Sequence, residues 1–217
     1  MQTSTTRVET FSDGVIAIMI TIMVLGFKLP EFGNHPTTED IKNHLLNIIP
    51  HVVAYLFSFV MIGILWTSHH HLFHLLKKTD NQLLRQNLFF LFWISLIPLV
   101  TGVMGASPFL AISTALYGCI MLMTTLTLSY MRAYTLRKEL VHTDAKKELN
   151  MKIYRVSLMG KRRSYISCAA YFVSIPLAFV SVYLAYVCFV IPLVLFFIPT
   201  GIDEEKLENS VMEKNPV

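Results

Sequence analysis

The side chains of this sequence that could do chemistry lie inside or beside strongly apolar segments. Asp13 is the first of them, because only 14 uncharged residues separate it from Lys28. An ionisable group drawn toward membrane hydrocarbon is costly, so it is a functional-site hypothesis by default. The alternative is that Asp13 lies at the level of the lipid headgroups near a helix start, where a carboxylate suits the helix dipole.

A later apolar segment contributes a group of histidines near its end. Trp66, His69 and His70 are spaced i, i+3 and i+4, so they share one face of a helix. His70 and His74 are four residues apart and form a possible metal-binding pair, but this segment contains no carboxylate or cysteine to complete a metal site. We therefore expect no metal here, and either interfacial side chains or a hydrogen-bonded cluster with charged residues near the N-terminus.

The composition indicates the class of protein that must position these residues. Hydrophobic residues make up 54% of the chain and charged residues 15%, whereas soluble domains carry about 25% charged residues. This balance excludes a disordered chain, a nucleic-acid-binding tail and most soluble enzymes. The sequence therefore predicts an all-α integral membrane protein with several transmembrane helices.

Uncharged runs of about 20 residues locate the membrane spans, because a helix of that length crosses the hydrocarbon core. The uncharged run after Asp13 is short for a membrane span. Because it lacks the basic start and the cleavage site of a signal peptide, we nevertheless expect it to be a membrane span. The polar stretch 136–163 is predicted to be a cytoplasmic basic connector, a solvated loop rather than a lipid-facing surface helix, and 201–217 a cytoplasmic tail. The six predicted spans are 8–29, 45–75, 84–103, 108–131, 164–181 and 183–200.

The distribution of basic residues predicts the orientation of these spans. Six spans place both termini and two of the loops on the same side of the membrane. Of the 18 basic residues, all except Lys28 and Lys42 then lie on that side. The positive-inside rule makes it the cytoplasmic side. The net charge of +4 follows from this distribution and requires no nucleic-acid partner.

The first span carries an apolar stripe with one hydroxyl group along one side of its helix. Asp13 is not part of that side, because it points about 140° away from Ile18 at about 100° per residue. The stripe by itself favours contact with lipid or with a neighbouring helix. Its members are Gly14, Ile18, Thr21, Ile22 and Leu25.

Two sequence motifs stand at the start of the first span and late in the second. Residues 7–13 read Arg-Val-Glu-Thr-Phe-Ser-Asp and fit the pattern Arg-x-x-x-Phe-Ser-Asp. Residues 66–73 read Trp-Thr-Ser-His-His-His-Leu-Phe. Together they resemble the transmembrane protein 175 family of potassium channels, in its prokaryotic type with one six-span unit per chain. The resemblance extends along essentially the whole sequence.

This resemblance implies a function and a place for the apolar stripe. It implies a homotetrameric, potassium-selective cation channel of a prokaryotic plasma membrane, with the first helices lining the pore. Ile18 would form the main hydrophobic constriction, followed by Thr21 and Ile22, with Leu25 nearer the outside. We expect weak to moderate selectivity, the lipid bilayer and monovalent cations as partners, and no cofactor beyond the permeating potassium ion.

The resemblance also implies structural roles for the motif residues, which would tie the pore helix to the second span. Two alternatives remain: a proton-coupled secondary transporter that uses Asp13 and the second-span histidines, and a membrane metalloenzyme built on His69, His70 and His74. We expect no enzymatic activity, because the sequence has no phosphate loop, nucleophile elbow or intramembrane Ser-His-Asp set. The motif residues are Arg7, Phe11, Ser12, Asp13, Trp66, His69 and His70.

Overall fold

The computed structural model describes residues 5–27, 37–138, 140 and 147–197, and for 147–158 the backbone alone. The described residues form helices and no strands, so the all-α fold predicted from the sequence is confirmed. A short 3-10 helix, Met23–Gly26, continues the first helix. The helices are α1 (Thr5–Ile22), α2 (Thr38–His74), α3 (Asn81–Ser95), α4 (Ile97–Ala106), α5 (Ala111–Arg137), α6 (Lys147–Val180) and α7 (Val182–Phe197).

Five stretches of helix in the described part of the chain are long and apolar enough to cross a membrane. They are Thr5–Gly26, Thr38–His74, Asn81–Ala106, Ala111–Arg137 and Met159–Val180. The last helix, α7, is apolar but has only 16 residues. At 1.5 Å per residue it is about 24 Å long, which is less than a hydrocarbon core of about 30 Å.

The third of these stretches consists of two helices, although the sequence predicts a single span at 84–103. Helix α3 ends at Ser95 and α4 begins at Ile97. Pro98 lies in the first turn of α4, where its missing N–H leaves no hydrogen bond unmade. Farther along α4, a Cβ on Gly105 would lie 2.9 Å from the Cα of His51, so α4 and α2 approach each other closely at this glycine.

The segment 136–163, predicted to be a loop, is helical over much of its length. Helix α6 begins at Lys147 and runs without a break into the apolar stretch that ends at Val180. Lysine, glutamate, leucine, methionine and arginine dominate its start, and all of them are good helix formers. Their propensity explains why the helix extends beyond its apolar part. Some of the predicted segments lie outside the described residues. They are the end of the first span (28–29), parts of the connector (139 and 141–146), the end of the last span (198–200) and the whole tail (201–217).

Helix α5 forms the centre of the fold and packs against α3, α4, α6 and α7. Its Tyr117 is fully buried, and its hydroxyl group lies 3.0 Å from the hydroxyl of Ser58 on α2. Thr101 on α4 donates a hydrogen bond of 2.8 Å to the same Ser58 hydroxyl. These contacts satisfy buried polar groups where α2, α4 and α5 meet. Helix α1 lies at the edge of the bundle, against α2, α3 and α4.

Candidate pore helix and its polar junction

One side of α1 is held against the rest of the chain. Val8, Ser12 and Ile16 recur at every fourth position and are buried, with exposed fractions of 4%, 0% and 1%. Residues four apart lie on the same face of a helix, so these three define the inner side of α1. Glu9 and Asp13, which follow two of them, are partly buried. The inner side therefore carries both apolar contacts and polar anchors.

The opposite side of α1, together with the short 3-10 helix that continues it, carries the stripe predicted from the sequence, and none of its large members is buried by the chain. Ile18 and Leu25 expose 56% and 77% of their surface, and Ile22 and Thr21 are exposed as well. The Thr21 hydroxyl donates to the carbonyl oxygens of Ala17 and Ile18, at 3.1 and 3.0 Å. Donation leaves the oxygen lone pairs directed away from the backbone, where they can accept a hydrogen bond or contact a cation.

The first polar anchor joins α1 to α2. The indole Nε1 of Trp66 donates a hydrogen bond of 2.9 Å to Oδ1 of Asp13. The Trp66 ring also stacks on the ring of His70, with centroids 5.4 Å apart and planes 21° from parallel. The structure thus brings together three of the predicted motif residues. The charge-assisted hydrogen bond fixes the rotation of α1 about its axis relative to α2.

The second anchor adds α3 and is completely buried. Asn87 donates from Nδ2 to the hydroxyl oxygen of Ser12 at 2.8 Å, and its Oδ1 lies 2.8 Å from Nε2 of His69. Because Oδ1 can only accept, Nε2 of His69 is the donor, and this fixes the tautomer of the ring. The Ser12 hydroxyl in turn donates to the carbonyl oxygen of Val8. The hydroxyl of Ser12, the amide of Asn87 and Nε2 of His69 are therefore buried polar groups with partners, whereas Nδ1 of His69 makes no hydrogen bond among the described residues.

Aromatic rings hold His69 from both neighbouring helices. Its ring stacks on Phe73 of α2, with centroids 4.4 Å apart, and on Phe90 of α3, with centroids 5.1 Å apart. The ring is fully buried. This packing fixes the ring plane and so positions Nε2 toward Asn87. His69 therefore lies in the buried interior of the junction, without exposed surface on this chain.

The third contact between α1 and α2 involves Glu9. Its Oε1 lies 3.1 Å from Nδ1 of His70 and 3.3 Å from Nε2 of His74. The two histidine rings are 4.1 Å apart between centroids. All three side chains are partly buried. Two histidines of one helix and a carboxylate of another thus converge on one point.

Two motif residues lie outside this junction. Arg7 and Phe11 are exposed on the single chain, on the same side of α1 as the stripe. Their spacing of four residues continues the stripe toward the N-terminus. Conversely, Glu9 and Asn87 belong to the junction but were not expected from the sequence. Glu9 occupies a variable position of the N-terminal pattern, and Asn87 lies on a helix that the sequence did not place beside α1.

An acidic side chain organises the turn between α2 and α3. Asp80 caps α3 by accepting a hydrogen bond of 2.8 Å from the backbone N–H of Leu83, and it also accepts one from the hydroxyl of Tyr134 on α5. Burial by itself would raise the pKa of Asp80, but these hydrogen bonds outweigh it and hold the pKa below its ordinary value. Asp80 therefore stays ionised and ties the α2–α3 turn to α5.

Known proteins resemble this chain in sequence and in fold. A family model described as the endosomal/lysosomal potassium channel TMEM175 matches residues 7–98. A potassium channel of Chryseobacterium sp. (strain P1-3) is 36% identical over 169 residues, which cover 78% of this chain and 80% of that protein. This chain belongs to the TMEM175 family. The resemblance seen in the motifs is thereby confirmed.

Other members of the TMEM175 family extend the comparison to a solved structure and to animals. The crystal structure of a lysosomal potassium-selective channel TMEM175 homolog from Chamaesiphon minutus superposes with a TM-score of 0.72 at 28% identity, over 89% of this chain and 97% of that one. An endosomal/lysosomal proton channel TMEM175 of Danio rerio is 34% identical over 47% of this chain but only 21% of its own length. The family is one of ion channels, so the chain is not an enzyme, and the metalloenzyme alternative falls away.

Proposed function

We propose that this TMEM175 protein is a potassium-selective cation channel whose pore is lined by α1. The observation that carries the proposal is the stripe of Ile18, Thr21, Ile22 and Leu25, which the chain leaves exposed along the whole outer side of α1. One helix cannot enclose a pore, so several copies must contribute. Closed symmetry is the usual arrangement of identical chains, and we infer a homotetramer with four copies of α1 around the axis. The Chryseobacterium relative is itself named a potassium channel.

The proposed selectivity mechanism is a narrow apolar constriction. Rings of Ile18 and Ile22 would exclude water from the pore unless the helices separate, which is gating by dewetting. An ion that passes such a ring sheds part of its hydration shell. Potassium loses water more easily than sodium, so the ring favours potassium, and the Thr21 oxygens replace some of the lost ligands. Selectivity by this route is weak to moderate.

The junction behind α1 gives the constriction a rigid support. Asp13 and Ser12 anchor the inner side of α1 to Trp66 and Asn87, while the stripe points away from them. Because the inner side of α1 is buried and hydrogen-bonded, α1 cannot rotate about its axis, and each Ile18 side chain keeps its direction. The radius of the constriction then depends on the position of α1 as a whole.

The proposed location is the plasma membrane of a prokaryote, with both termini in the cytoplasm. The bacterial origin of the Chryseobacterium relative supports the first part. The excess of lysine and arginine on one side of the predicted spans supports the second. With this orientation, the junction formed by Asp13, Trp66 and His70 lies toward the cytoplasmic end of the pore.

The alternative of a proton-coupled transporter draws on the titratable groups beside α1. Glu9, Asp13, His70 and His74 lie close together, and the Danio rerio relative is named a proton channel. These groups, however, face α2, and Asp13 is already engaged by Trp66. A proton relay would need them to open toward a path through the membrane. The geometry therefore favours a structural role for Asp13 and ion permeation along the stripe.

Current through the purified full-length protein in a planar bilayer tests the proposed function. With potassium on one side and sodium on the other, we expect discrete single-channel steps that reverse toward the potassium equilibrium potential. A proton gradient imposed under the same conditions measures whether protons carry part of the current. If no steps occur and vesicles take up ions slowly only when a proton gradient is present, the transporter alternative is correct.

A further inference from the structure

We infer that Glu9, His70 and His74 form a binding site for a zinc ion between α1 and α2. One ligating atom from each of the three side chains lies within 4.8 Å of the other two. The i,i+4 spacing of the two histidines places both on one face of α2, as in helical zinc motifs. Glu9 supplies, from the neighbouring helix, the carboxylate that α2 lacks near these histidines. This inference is independent of ion conduction.

The separations between the atoms fit a metal centre. A zinc ion held tetrahedrally by bonds of about 2.0–2.1 Å keeps neighbouring ligand atoms about 3.3–3.4 Å apart. Oε1 of Glu9 lies 3.1 Å from Nδ1 of His70 and 3.3 Å from Nε2 of His74. The third pair, Nδ1 of His70 and Nε2 of His74, lies within 4.8 Å, so an ion beside Oε1 of Glu9 would draw the two imidazole nitrogens together.

Two of the polar atoms at this point lack a hydrogen-bond partner among the described residues. Oε1 of Glu9 and Nδ1 of His70 are both buried, and neither makes a hydrogen bond within the described part of the chain. Their 3.1 Å separation is that of an ion pair, but the contact does not have the geometry of a hydrogen bond. Buried polar atoms without partners are rare because each is costly. An ion bonded to both would satisfy them.

The type of the ligands selects the ion. Two imidazole nitrogens and one carboxylate suit zinc, whereas magnesium and calcium prefer oxygen ligands throughout. Three protein ligands leave a fourth position for water, as in other His-His-Glu zinc sites. The side chains of Glu9, His74 and His70 expose 17%, 19% and 31% of their surface, so an ion can reach the site from solvent.

Titration of the purified, metal-stripped full-length protein with zinc chloride in detergent, followed by calorimetry, tests the site. We expect one zinc ion per chain, and a large excess of magnesium should not compete. E9Q and H74Q each remove one ligand and keep a similar volume, and we expect each to weaken zinc binding at least about tenfold. H71Q is the matched control, because His71 is adjacent on the same helix but outside the group, and it should bind zinc as the unaltered protein does.

A cysteine variant separates metal ligation from a merely structural role. A thiolate is a good zinc ligand, so H74C should recover the binding that H74Q loses. Size-exclusion profiles and helical circular dichroism of every variant show whether the fold is intact. The inference is overturned if the unaltered protein binds no zinc, or if E9Q and H74Q bind it as tightly as H71Q. A planar-bilayer experiment that fails to show current leaves these outcomes unaffected.

Discussion

Ile16 and Ile18 lie two residues apart on α1 and meet very different surroundings. Ile16 exposes 1% of its surface and packs into the core, whereas Ile18 exposes 56% and touches little of its own chain. An apolar side chain that remains exposed along with its neighbours at i+4 and i+7 marks a surface that something else must cover. In the proposed channel, that surface is the pore.

Substitution of Ile18 by asparagine tests its role in selectivity. A ring of amide groups would hold water in the constriction, so ions would cross with more of their hydration shell. We expect I18N to shift the reversal potential between potassium and sodium toward zero and to raise the open fraction. I112N, which alters an isoleucine of α5 that is also exposed, should leave the reversal potential unchanged. An unaltered ion preference in I18N removes Ile18 from the filter.

Residue identities predicted some contacts of the junction and not others. The pattern of Arg-x-x-x-Phe-Ser-Asp marked Ser12 and Asp13, and the helical spacing of Trp66, His69 and His70 marked their partners. Asn87 was not predictable, because nothing in the sequence of α3 reveals that this residue contacts Ser12 on α1 and His69 on α2. The packing of α1 against α3 supplies that information, and it is set by the whole bundle.

The sequence predicted the presence of the helices more reliably than their ends. Apolar length predicts a span but not a break such as Leu96, which falls between α3 and α4 within one continuous apolar stretch. It also misses the start of α6, because the charged residues after Lys147 are polar and yet have high helix propensity. Apolar length therefore predicts which residues cross a membrane, whereas helix propensity predicts how far the helix extends beyond them.

The contact between α4 and α2 depends on a glycine, and its substitution tests the packing of these elements. A methyl group on Gly105 would meet the backbone of His51 at 2.9 Å, so one helix must move. We expect G105A to destabilise the protein by about 1–3 kcal/mol, the usual cost of overpacking, and to lower the Tm in detergent. A methyl group on Gly102 of the same helix would meet nothing within 4 Å, so G102A should keep or raise the Tm. Equal Tm values for the two variants would show that α4 and α2 adjust freely.

At the scale of the whole molecule, the single chain leaves many large apolar side chains exposed, on α1 and on the outer helices alike. Lipid covers such surfaces in a membrane protein, so exposure alone does not distinguish a lipid-facing helix from a pore-lining one. The proposal that α1 lines the pore therefore relies on the difference between the two sides of this helix. A polar junction holds one side against α2 and α3, and the other side presents a stripe that contains a hydroxyl group. These two features support the pore-lining position proposed above for α1.

The proposed assembly predicts that Asp13 matters for oligomer formation and not for ion selection. D13A leaves the Trp66 indole N–H without its acceptor, and a hydrogen bond to a charged group contributes about 1.5–3 kcal/mol. Helix α1 then loses one of the two hydrogen-bonded anchors that fix its rotation. We expect native mass spectrometry to find the unaltered protein at about four times the 24.8 kDa of one chain, and D13A largely dissociated.

The control variant D13N keeps an oxygen acceptor for Trp66, so it should assemble and conduct potassium without a proton gradient. Intact D13A tetramers with an altered ion preference would show that Asp13 acts in permeation, and a D13N protein that assembles but cannot transport would favour the proton-coupled transporter.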